Sequence, residues 1–229
     1  GDVAISDLTI ANGNAGGNAG GGLNNSGGNV TLTNMVFSSN GGTFGGGAVW
    51  NNSTMVITNS AFHNNSAGNR GAIWAEGGAL TIQGSAIYSN TTTTNDGGGI
   101  FAAGGTLTIL NSTISGNTSA ATGGGLVTSA GSAPTVVITN STIAGNTAAS
   151  GGGGIMMFLG SVTLKNTLVA GNSAGFAPDF SGTFVSEGGN LIGNSEGADG
   201  FDVLDLMDVS ALLGPLANNG GPTLTHALL

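Results

Sequence analysis

Residues 107–118 read LTILNSTISGNT, and residues 136–147 read VVITNSTIAGNT. Each stretch alternates apolar and polar positions, turns at Asn, places one further isoleucine and closes on Gly-Asn-Thr. Copies of this pattern begin near Val3, Val30, Met55, Leu80, Leu107, Val136 and Val162, with a degenerate eighth near Phe184. The unit is therefore about 26 residues long. Each unit has three parts. A period-2 stretch such as VTLTN (30–34) comes first, and a short stretch ending in Asn such as FSSN (37–40) or ISGN (114–117) follows. A Gly-led stretch closes the unit, as in GGAVW (46–50), RGAIW (70–74) and GGGIF (97–101). Alternation at period 2 in stretches rich in β-branched residues predicts short strands, too brief to form helices.

Three short strands joined by Asn and Gly corners make one coil of a solenoid. A single coil cannot bury its apolar face, but stacked coils share one core. The expected fold is thus all-β: a right-handed parallel β-helix of about 7–8 rungs. Four inward columns follow from the alternation. They are Val30–Met55–Leu80–Leu107–Val136–Val162, Leu32–Ile57–Ile82–Ile109–Ile138–Leu164, Phe37–Phe62–Ile87–Ile114–Ile143–Val169 and Val49–Ile73–Ile100–Leu126–Ile155. The Asn column at Asn40, Asn65, Asn90, Asn117, Asn146 and Asn172 suits corners with left-handed backbone, and its side chains are expected to hydrogen-bond from coil to coil. The repeats occupy 1–194. Residues 195–229 concentrate acid and then Leu and Pro, and are expected to cap the last rung or link onward.

Composition changes the picture in one respect. Only 6% of the 229 residues are charged, so the surface is dressed with Ser, Thr, Asn and Gly, which suits an extracellular protein. The net charge is −9, with Arg70 and Lys165 the two basic residues. Nucleic acid and anionic membrane surfaces are disfavoured partners for want of clustered cations. No apolar run is long enough for a membrane span, and without cysteine there is no thiol chemistry. With no initiator Met and no signal peptide, the chain is read as a mature or trimmed fragment.

The pairing of FSSN with GGAV and of FHNN with GAI resembles the repeat signature of polymorphic outer-membrane proteins. NLIGN (190–194) and LLGPLANNGGPTLTHALL (212–229) look like the C-terminal part of bacterial choice-of-anchor β-helix proteins. The resemblance covers roughly 3–194 and implies a bacterial cell-surface protein acting in adhesion or surface structure.

Candidate chemistry is sparse. Between residues 8 and 178 the only acids are Glu76 and Asp96, on different rungs, whereas glycoside cleavage needs paired carboxylates. Glu76 with Arg70 reads as a structural salt bridge or solvated charges. The expectation is a non-enzyme without a cofactor, and a carbohydrate-active enzyme or a glycan- or ice-binding module is the alternative. Asp199, Asp202, Asp205 and Asp208 recur every third residue. A solvated acidic turn is the simpler reading, and Asp199, Asp202 and Asp205 are the candidate calcium ligands. His63 and His226 lack partner motifs and read as surface or corner side chains. Thr31 and Thr33 begin an outward array that Gln83, Leu110 and Lys165 interrupt.

One column stands out: Trp50, Trp74, Phe101, Val127 and Met156 follow the inward Gly-led hydrophobes and should face outward. Either a loop, bulge or the C-terminal segment covers it, or it is an apolar stripe for a partner. A surface glycan, a protein or another copy of the chain are the expected partners. Unpaired strand edges at the rung ends would favour head-to-tail filaments.

Overall fold

The computed structural model describes residues 1–129 and 131–229. Among them every regular element is a strand, and no helix is long and apolar enough to cross a membrane. A representative coil runs through Thr106–Leu110, Thr113–Ser115, Thr118–Ser119 and Leu126–Thr128. That is four strands, one more than expected. The additional two-residue strand follows the Asn corner and is too short to show any alternation.

Equivalent strands of successive coils pair in parallel, giving four sheets, numbered here in the order one coil visits them. Leu107 pairs with Val136 and Ile109 with Ile138 in the first sheet. Ile114 pairs with Ile143 in the second and Leu126 with Ile155 in the fourth. The result is a right-handed parallel β-helix of about 7 turns.

The four inward columns hold. Apart from half-buried Val30, they are sealed from solvent along their length. Phe37 and Phe62 stack face to face with ring centroids 4.8 Å apart. Each such side chain contributes about 1.5–3 kcal/mol through burial, and no single coil achieves this without its neighbours.

The left-handed backbone sits one residue away from its expected place. It falls on Ser39, Asn64, Ser89, Gly116, Gly145 and Gly171, each directly before a column Asn. The corner bends there, which frees the following Asn to turn its side chain into the interior.

The 195–229 segment divides in two. Ala198–Asp199 and Leu206–Met207 continue the fourth and second sheets as further parallel strands. Leu213–Ala217 and Thr225–Leu228 then form an antiparallel hairpin. This hairpin does not cover the last rung, contrary to expectation. It folds back along the side of the second sheet, where Thr223 donates to the Gly84 carbonyl at 3.1 Å. The reason lies in the outward column beneath it. Ser115, Ala144 and Ala170 are small, leaving a flat strip that the hairpin fills, so all three are buried despite pointing out of the coil.

Candidate functional site

The column asparagines form an unbroken ladder. The backbone N–H and side-chain amide of each donate to Oδ1 of the next, from Asn40 through Asn65, Asn90, Asn117 and Asn146 to Asn172, at 2.9–3.0 Å. The second amide hydrogen of each goes back to a carbonyl of the preceding coil, as from Asn65 to Phe37. Buried amides require this full set of partners, and every link points the same way along the stack. A parallel ladder starts where Met35 donates to Ser60, which is followed by Ser85, Ser112 and Ser141. In later coils Thr167 N–H donates to Asn190.

The Asn ladder and the Thr167–Asn190 run each end on an aspartate. Asn172 donates to Asp179, and Asn190 donates its N–H and amide to Asp205 Oδ1, each at 3.0 Å. Burial pushes the Asp179 carboxyl above its ordinary value, against the pull of its hydrogen bonds from Asn172 and Asn194. Burial would also raise Asp205, but donors from Asp202, Ser186 and Asn190 together outweigh it and hold the group low. Asp208 lies low because the Ser195 N–H and hydroxyl donate to it.

Asp199, Asp202, Asp205 and Asp208 thus each accept hydrogen bonds from the chain's own donors. Asp199, Asp202 and Asp205 do not converge as calcium ligands: Asp205 terminates the Thr167–Asn190 run, Asp202 receives the Leu204 N–H and Asp199 its own neighbour's. Among the described residues no group of three or more His, Asp or Glu is arranged to hold a metal.

The outward aromatic column is a register-exact stack but not a continuous exposed stripe. Trp74 is 4% exposed and Val127 is sealed, while Trp50, Phe101 and Met156 are half-buried. The bend between the third and fourth sheets doubles back over the column, which supplies the cover. Phe44 meets Trp74 edge-on at 5.6 Å, and Gly45 passes so close that a Cβ there would lie 3.1 Å from the indole. Over Val127 the backbone of Gly123 performs the same service.

Sequence reasoning missed what holds this face together. The Arg70 guanidinium lies 4.5 Å from the Trp74 ring centroid, 4.9 Å from Phe44 and 6.0 Å from Phe101. It makes no salt bridge with Glu76, whose carboxylate instead accepts the Trp50 indole N–H at 2.7 Å. Asp96 is likewise engaged, accepting the Thr122 N–H and hydroxyl. Arg70 also occupies a left-handed corner, φ 58°, where other coils place Gly20, Gly46, Gly97, Gly123 and Gly152 and one places Ala177. A side chain there costs about 1–2 kcal/mol. Trp74 Nε1 is buried without a partner among the described residues, a further cost of about 1–3 kcal/mol. The signal was present in RGAIW, which departs from the Gly-Gly of its sister repeats.

The histidines differ in role. His63 stacks on Tyr88 at 5.0 Å, and partial burial lowers its pKa. His226, expected at a surface or corner, instead joins the hairpin to the helix: its ring nitrogens lie 2.9 Å from Ser115 Oγ and 2.7 Å from the Gly214 carbonyl. The outward threonine array is interrupted as read, with Gln83 beside Leu110 and Thr139 beside Lys165 in register.

Comparison with curated proteins and with solved structures returns no match. A family model described as right-handed beta helix region matches residues 2–203, from the first strand to the edge of the last parallel coil. With its inward columns, parallel sheets and repeat of about 26 residues, this chain belongs to the right-handed β-helix family.

Proposed function

We propose that the protein is a non-catalytic extracellular module of a bacterial cell surface, a stiff rod that displays an adhesive face. One observation carries this reading: the acids of the coils are spent on the chain's own donors. Glu76 holds Trp50, Asp96 holds Thr122, Asp179 ends the Asn ladder and Asp205 the Thr167–Asn190 run. A carboxylate pair free to protonate a leaving group or activate water is what glycoside cleavage requires. The low charge and the Asn, Ser and Thr surface support an extracellular setting. Incubation with pectin, alginate and neutral glycans, with and without calcium, should release no products. Turnover abolished by Glu76→Gln or Asp96→Asn would replace this reading with the enzyme.

A second reading, end-to-end association of copies, is favoured by the apolar side chains exposed on the last coil. Val203 is 96% exposed, and Leu204, Leu206 and Met207 lie beside it. Sedimentation should then show concentration-dependent growth that Leu206→Asp with Met207→Asp suppresses. A single monomeric species at high concentration would exclude it.

A further inference from the structure

We propose that Arg70 and the rings around it form a subsite for the carboxylate of an acidic sugar in a glycan. The proposal deepens the adhesive-display reading and rests on it. The guanidinium is held by aromatic contacts with Trp74, Phe44 and Phe101, and its side chain makes no hydrogen bond or ion pair to the described protein. Its N–H donors have no partner among the described residues, and the planar edge of a guanidinium fits a carboxylate with two parallel hydrogen bonds. The two acids of these coils are already engaged by Trp50 and Thr122, so neither competes for that edge.

Backbone preference does not account for the residue. Five coils place glycine at this left-handed corner, and this coil places the only arginine of the chain there. Residues kept at a disfavoured backbone conformation cluster where a side chain has a task.

The ligand class follows from the surroundings. With a single cation and Glu76 and Asp96 on neighbouring coils, the face suits a monoanion rather than a doubly charged phosphate. Phe44, 45% exposed, and half-buried Trp50 offer flat apolar planes to the C–H face of a sugar ring. Thr43, the residue before Phe44, lines a shallow groove in which Ser66 and Thr94 present hydroxyls, those of Thr43 and Thr93 being given to the Gly16 and Ala67 carbonyls. An acidic peptide would gain affinity by adding a strand to a sheet edge. Here the strands Ser66–Ala67 and Ile73–Ala75 are paired on both sides, so no edge is open.

The test is calorimetric titration of the whole chain with sialyllactose and with a hyaluronan tetrasaccharide, each beside its methyl ester, and with an oligoglutamate peptide. At least one of the two acidic saccharides should bind saturably and its ester should not. Arg70→Gly should weaken binding by roughly tenfold or more while a cooperative thermal transition is retained, and Arg70→Lys should fall between, as expected on losing the two-pronged contact. The proposal is overturned if neither saccharide binds at millimolar concentration, if ester or Arg70→Gly binds equally, or if the peptide binds more tightly than both sugars. Mass spectrometry of the recovered saccharide separates the two ideas. Cleavage would sink the non-catalytic reading, whereas loss of carboxylate dependence sinks only this one.

Discussion

Asn172 donates both its backbone N–H and its side-chain amide to a single oxygen of Asp179, at 2.9 and 2.8 Å. Every earlier member of that ladder is an amide that accepts from one coil and donates to the next. The chain of bonds is directional, and its final acceptor needs no donor of its own. A carboxylate meets that need, and its second oxygen takes the Asn194 N–H at 2.8 Å. Bonds aligned in this way polarise one another, so a charged terminal acceptor strengthens the run behind it.

Breaking the ladder in its middle should be costly. Asn117→Ala leaves both the backbone N–H and the amide of buried Asn90 without an acceptor. Two unsatisfied buried donors should lower stability by about 2–4 kcal/mol, read from chemical denaturation. A change within experimental error would mean that water or a shifted corner replaces the amide.

The two terminal aspartates should respond to pH in opposite directions. Asp179 lies above its ordinary 3.8 through burial. The folded state then holds its proton more tightly than the unfolded one, so this contribution declines as pH rises from 3.8 through the raised value. Asp205 lies below 3.8, so its contribution is complete above that value and is lost as pH falls through the lowered one. Asp205→Asn should flatten the acid side of a Tm–pH profile, and Asp179→Asn should remove a rise on mild acidification. Identical profiles for both variants would contradict the assignment.

The core should not tolerate charge. Ile138 is fully buried between Ile109 and Leu164. Ile138→Asp places an unpaired carboxylate there, a penalty of several kcal/mol that should abolish the cooperative thermal transition. A transition near the wild-type Tm would show the faces to be inverted.

The hairpin should detach without unfolding the helix. Removing the ring in His226→Ala deletes the links to Ser115 and to Gly214. Proteolysis near Asn218–Gly221 should quicken several-fold while the main thermal transition stays within a few degrees, because the coils do not depend on the hairpin for their pairing. Loss of the main transition would instead make the hairpin integral to the core.

The amino-acid sequence by itself determined the repeat, the inward columns and their register. Leu107, Ile109 and Ile114 recur as Val136, Ile138 and Ile143 because strand alternation and coil stacking are rewarded by burial at fixed local spacing. It also marked the Asn column, though the left-handed bend belongs to the residue before each Asn. The tertiary structure alone decided the rest. Asp179 completes a ladder from only 7 residues beyond Asn172, a departure from the repeat period that no pattern announces. Trp74 is buried because a bend of the preceding coil brings Phe44 onto it, and Arg70 is caged by side chains from three coils. The hairpin lies on Ser115 rather than over the last rung, 111 residues away from its anchoring His226. Periodicity records which side chains leave water, a local property of the strand. Which surfaces then meet depends on the paths of corners and on the chain's return, and those are settled only when all coils are stacked.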